Sequence, residues 1–227
     1  MTYAITDNHT LSGAHQLTTP NVGGGIVPKF VVIRTFSDTG QNVVLGMQNE
    51  SLKRSTHLLL ANKAVYQLLP FTTKSWGVGA SYWKGHTDLN SVSVTIGICP
   101  DLEGSFSWAH RHLDEILPLL VDKYRIREIM GRGRVLVAPG VSSDPHESFD
   151  LRAMQEYAIF DNAGGEGQYV TVMEGVHVYA GDNPCFPVLT KLNRGESVKV
   201  LRFYNGWALI AYDKLRGYVP EGFLMKS

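Results

Sequence analysis

Cysteine is scarce: only Cys99 and Cys185 occur in 227 residues, too few and too far apart for a disulfide framework. Charge of either sign in excess is also missing, since 21 Lys and Arg stand against 21 Asp and Glu. A neutral balance removes the electrostatic case for nucleic acid or an anionic membrane as partner. No apolar run approaches the roughly 18 residues of a membrane-spanning helix. The opening MTYAITDNHTLSGAHQ has no basic segment leading into an apolar one, so no standard export leader is visible. A soluble chain is expected, either cytoplasmic or carried to its target by a phage or a dedicated secretion route. What is present is ordinary globular material, 44% hydrophobic and 19% charged, long enough for one domain of about 150 residues and a small second one.

The first domain is expected over residues 1–159. Residues 1–28 are polar and turn-rich and read as an extended entry. Phe30-Val31-Val32-Ile33 is a short apolar run of the kind that forms a buried central strand, and it delivers Arg34 to the strand's carboxyl end, where ligands of open α/β sheets collect. A short helix is expected over 42–49. Two strands flank the turn Asn62-Lys63-Ala64 and make the sheet mixed. A further strand is expected over 91–99. Phe106, Ala109, Leu113, Ile116, Leu117, Leu120 and Tyr124 recur at helical spacing, with Pro118 as a kink. A last strand over 126–130 leads into Gly131–Asp150, whose Asp144-Pro145-His146 presents a carboxylate at a rigid turn. The loop 72–90, with Trp76 and Trp83, is long enough to be functional.

Residues 160–168, FDNAGGEGQ, read as a linker carrying Gly164-Gly165. From 169 to 227 short strands and frequent turns imply a small all-β barrel. Asn205-Gly206-Trp207, Arg216-Gly217-Tyr218-Val219 and Gly222-Phe223-Leu224 make this part resemble bacterial SH3-like domains. Tyr179, Phe203, Tyr204 and Trp207 either line a peptide groove or fill the barrel.

Several motifs in 20–155 occur in a fixed order. They are Ser55-Thr56-His57-Leu58-Leu59, Val65-Tyr66-Gln67-Leu68-Leu69-Pro70, Lys74-Ser75-Trp76-Gly77-Val78-Gly79, Trp83-Lys84-Gly85 with Leu89-Asn90-Ser91, and Pro139-Gly140 with Asp144-Pro145. Together they resemble the zinc-dependent N-acetylmuramoyl-L-alanine amidase and peptidoglycan recognition protein superfamily. The resemblance implies an α/β fold, a mixed central sheet flanked by helices, joined to the SH3-like barrel. It also implies a mechanism in which two histidines and a cysteine or aspartate hold Zn²⁺, a glutamate or tyrosine moves the proton and a lysine can support the oxyanion.

The residues that should carry this chemistry have changed type. The first zinc histidine falls on Arg34. The second falls on Arg134, or on Arg132 if the loop carries an insertion, and the family's Arg-Lys pair falls on Val141-Ser142. A guanidinium has no lone pair for a metal. Asp144 alone matches a ligand position. The glutamate falls on Cys99 or Gly97, the alternative tyrosine on Thr56, and the Trp-His pair of the loop on Trp76-Gly77. The expectation is a cleft without zinc or inherited catalysis, with Arg34, Arg134, Asp144, Trp76, Trp83 and His57 as ligand-binding candidates. Asp144 should pair with at least one arginine, leaving either a fork for carboxylate or phosphate or a salt bridge that staples the cleft in place of the metal. Trp76, Tyr82 and Trp83 either stack on sugar faces or pack as core. Should zinc have relocated, its ligands would be Asp144, His86 and His146; His110 and His112, two apart on a helix, share no face. The partner this implies is peptidoglycan or muropeptide fragments, with peptide or wall contact through the SH3-like domain. The alternatives are an active, endolysin-like N-acetylmuramoyl-L-alanine amidase and an adaptor unconnected with the wall.

Overall fold

A computed structural model describes residues 3–136, 144–155, 157, 167–204 and 206–227. Pro139-Gly140, Val141-Ser142, Asn205 and Gly164-Gly165 lie outside the described residues. The chain forms two units. One comprises residues 1–79, 88–132 and 144–160; the other comprises 80–87, 133–143 and 161–227.

In the first unit β1 (Ala4–Ile5) and β2 (Leu11–Ser12) form a small hairpin. A six-stranded sheet follows, built from β3 (His15–Gln16), β4 (Phe30–Thr35), β5 (Leu58–Ala61), β6 (Ala64–Gln67), β7 (Ser93–Ile98) and β8 (Glu128–Gly131). Their order is β3-β6-β5-β7-β4-β8, and only β5 and β6 are antiparallel. Asn62 and Lys63 turn that pair with φ of 51° and 59°, the double positive φ of a type I′ hairpin turn. The residues expected as an extended entry therefore supply a hairpin and an edge strand; two-residue strands carry no periodicity from which to read them.

Both faces of the sheet are covered, which is why β5 and β7 are buried along their whole length and β4 from Phe30 to Ile33. On one face Val31, Ile33, Leu58, Leu60, Val94 and Ile96 meet Leu113, Ile116, Leu117 and Leu120 of α2 (His110–Tyr124). Pro118 stands on the exposed side of that helix, where water can reach the carbonyl it leaves unbonded. On the other face Leu59 and Ala61 pack with Val43 and Met47 of α1 (Gly40–Gln48), which Thr39 caps through the amide of Asn42. After β8 the chain makes one helical turn, α3 (Arg132–Val135), and α4 (Leu151–Gln155) returns against β8.

The second unit is a seven-stranded antiparallel sheet of β9 (Gly167–Thr171), β10 (Val176–Tyr179), β11 (Val188–Leu192), β12 (Ser197–Tyr204), β13 (Trp207–Tyr212), β14 (Leu215–Pro220) and β15 (Leu224–Lys226). The strand order is β11-β10-β14-β13-β12-β9-β15. Its core is Val176, Val178, Leu192, Val198, Val200, Ala208, Ile210 and Val219. Gly167 and Gln168, expected as linker, pair with Val200 and Lys199. Strand β11 exposes Val188 and Leu189, so it lacks the alternation by which a half-buried strand shows in sequence.

Candidate functional site

The parallel pairing of β4 with β7 and β8 sets the site. It aligns Ile33 with Ile96 and with Gly131, so that Arg34 and Arg132 emerge at the same carboxyl edge of the sheet. Asp144, 9% exposed, lies between them. Its Oδ1 accepts from the Thr35 amide at 2.8 Å, its Oδ2 accepts from Arg132 Nη1 at 3.3 Å, and the same oxygen is 3.9 Å from Arg34 Nε. Two backbone carbonyls complete the arrangement: Gly77 accepts from Arg34 Nη1 at 3.0 Å and Val78 from Arg132 Nε at 2.8 Å. Phe36 lies under the Arg34 guanidinium, 4.3 Å from ring centroid to Cζ.

Burial decides the electrostatics. It pushes Arg34 down to about 10, with Arg132 adding to the effect and Asp144 opposing it. It also raises the Asp144 carboxyl above its ordinary range, despite the neighbouring Arg34 and Arg132 and the Thr35 amide. Two cations share one carboxylate, and Arg54 adds a third positive field at Arg34. Arg34 Nε is buried without a hydrogen-bonding partner.

This donor set does not fit zinc. Of the three residues gathered here only Asp144 offers a lone pair, and the guanidiniums would repel the ion. Of the two arginines expected at this position, Arg134 or Arg132, it is Arg132 that pairs with Asp144. The reason is the helical turn α3: residues two apart on a helix project about 200° from each other. Arg134 belongs to the second unit, where its guanidinium lies 4.6 Å over the ring of Trp83.

The relocated ligand set does not assemble. Among the described residues no group of three or more His, Cys, Asp and Glu could hold a metal ion. His146 hydrogen-bonds Ser148 at 2.9 Å and lies on the Phe106 ring, while His86 belongs to the second unit.

Both candidate positions for the general base are closed. A side chain at Gly97 would meet the ring of Phe36, so the residue that supports Arg34 fills the space a glutamate needs. Cys99 is buried, and burial pushes its thiol up to about 12. Gly77 is closed as well, since a Cβ there would come within 2.6 Å of the Ser55 carbonyl. Sequence reasoning missed Phe36 because its role depends on a neighbour in β7.

His57, a ligand-binding candidate in the sequence, sits in the core. It is fully buried; its Nδ1 accepts from the Thr95 amide at 2.9 Å and its Nε2 donates to the Thr73 carbonyl at 2.7 Å. That pair of bonds fixes the neutral ring with the proton on Nε2, and burial lowers its pKa from 6.5 to about 4. The unfolded chain binds a proton that the folded chain refuses, so stability is complete above pH 6.5 and drains as pH falls towards 4. The full loss is about 3 kcal/mol. Urea midpoints between pH 7 and 4 should show this slope, and His57→Gln should flatten it.

Trp76 is half-buried beside Ser55, whose hydroxyl accepts from its amide. Trp83 is 0% exposed, so it offers no face to a sugar; its ring meets Phe223 edge-on, with centroids 6.5 Å apart.

A family model described as Bacterial SH3 domain matches residues 174–225. No curated protein matches the chain. Among solved structures, a selenomethionine derivative of AmpD is similar over 66% of this chain and 98% of its own, at 20% identity and a TM-score of 0.53. AmpDh3 from Pseudomonas aeruginosa, in complex with an anhydromuramic pentapeptide, is similar over 67% of this chain and 68% of its own, at 19% identity and a TM-score of 0.52. PlyL follows with 64% and 96%, at 17% identity and a TM-score of 0.51. About two thirds of the chain shares the fold of AmpD, AmpDh3 and PlyL, and the second unit carries a bacterial SH3-like domain.

Proposed function

We propose that the amidase-like unit recognises peptidoglycan fragments through Arg34 and Arg132 and does not hydrolyse them. The observation that carries this reading is the gathering of two guanidiniums around Asp144, at positions that the resemblance assigns to zinc ligands. Without a metal-bound water or a positioned base, amide hydrolysis has neither nucleophile nor proton acceptor there. What remains is a partly buried excess of positive charge, suited to a carboxylate. Every peptide with a free C-terminus carries one, and AmpDh3 is described in complex with an anhydromuramic pentapeptide. The covered face of Arg34 on Phe36 and its Nη1 bond to Gly77 confine any further contact to the remaining edge of the guanidinium.

Retention on purified peptidoglycan, with release by soluble muropeptides, tests the reading. Arg34→Ala should weaken retention by about ten-fold to one hundred-fold, the worth of one charge-assisted contact of about 1.5–3 kcal/mol. Unchanged retention would remove the arginine site from recognition. One zinc per chain by elemental analysis, with amide hydrolysis, would restore the hydrolase.

A further inference from the structure

The second unit contains more than its SH3-like sequence. Residues 80–87 fold into it as a small loop in which Trp83 and His86 form a bridge, and residues 133–136 run beside it through the Ser81–Leu136 bridge. The Tyr82 amide donates to the Val135 carbonyl at 2.9 Å, and the Lys84 amide to the Gly222 carbonyl at 3.1 Å, with Lys84 Nζ 3.4 Å from Glu221. Tyr82 and Trp83 both pack on Phe223.

The aromatic face of the barrel is where these segments end. Tyr179 and Trp207 meet edge-on at 5.7 Å. Together with His177 and Pro220 they line a hollow that Arg134 and Leu136 enter, and the space left over is about 10 Å³, room for about one water. Two glycines shape the fit. A Cβ at Gly222 would strike the Trp83 ring, and a Cβ at Gly206 would strike the Arg134 guanidinium. Gly206 also has φ +70°, so the turn and the seat are met by one residue.

We propose that this aromatic face is a peptide-binding site closed in cis, with Arg134 and Leu136 standing where an external peptide would place a cation beside an aliphatic side chain. The Arg134 guanidinium lies 4.6 Å over the Trp83 ring, as a cation on an aromatic face does, and the tyrosine–tryptophan corner beside it accepts an aliphatic neighbour by burial. The cis segment holds the site because its effective concentration exceeds that of any free peptide. This site shares no residue with the arginines around Asp144.

Three full-length proteins test it by anisotropy, with a labelled peptide of sequence Arg-Gly-Arg-Val-Leu as probe. The unchanged chain should bind weakly. Arg134→Ala vacates the seat and should bind the peptide at least ten-fold more tightly. Arg134→Ala with Gly206→Ala has the same charge but a methyl group in the seat, and should fall back to the unchanged chain's affinity. Equal binding by all three, binding by none, or tight binding retained in the double variant each overturns the proposal. Because Arg34 and Arg132 are untouched, neither result depends on whether the amidase-like unit retains wall fragments.

Discussion

Replacing Asp144 with alanine is expected to lower the unfolding free energy by about 3 kcal/mol, as removal of one partner from a buried ion pair does. The side chains of Arg34 and Arg132 are 19% and 22% exposed, against 7% for Asp144. Without Asp144 the two guanidiniums lose their shared counter-charge and the Thr35 amide loses its acceptor. The cost arises from what is left behind rather than from any preference of Asp144 for ionisation, since burial already disfavours its charged form. Two comparisons separate these contributions. Asp144→Asn keeps an acceptor for Thr35 and should lose less than Asp144→Ala. The pair Arg132→Met with Asp144→Ala leaves one cation fewer uncompensated, and should also lose less. Urea midpoints for the three variants check the order. If Asp144→Ala were neutral, the carboxylate would not be what holds Arg34, Arg132 and the Thr35 amide together.

Trp83→Ala should be at least as damaging, costing about 3–5 kcal/mol, the usual range for deleting a fully buried large aromatic. Trp83 is 0% exposed, with Phe223 at its edge, Gly222 cleared for its ring and Arg134 over its face. The loss should appear in the unfolding of the SH3-like unit, followed by near-ultraviolet circular dichroism. A tryptophan serving as a sugar platform behaves in the opposite way, with stability nearly unchanged and ligand affinity reduced. A stability loss below about 1 kcal/mol would therefore return Trp83 to the role of a stacking surface.

The sequence by itself determined the elements whose burial leaves a periodic trace. A continuous apolar run gave β4, the β-branched alternation over 91–99 gave β7, and the 3.6-residue stripe gave α2. Ordered motifs indicated the amidase-like fold and the glycine-punctuated β-rich end indicated the SH3-like barrel. The resemblance together with residue type also implied that guanidiniums stand where imidazoles would bind zinc, because a lone pair is a property of the side chain and not of its surroundings. What the sequence left open depended on neighbours distant along the chain. Whether Arg132 or Arg134 meets Asp144 was settled by the single helical turn after β8, which sends the two in opposite directions. That Gly97 makes room for Phe36 follows from the register of β7 on β4. A histidine or tryptophan reads the same in sequence whether it binds a ligand or fills a core. Only the tertiary structure, by closing Thr95 and Thr73 around His57 and Gly222 and Phe223 around Trp83, decided that both are core.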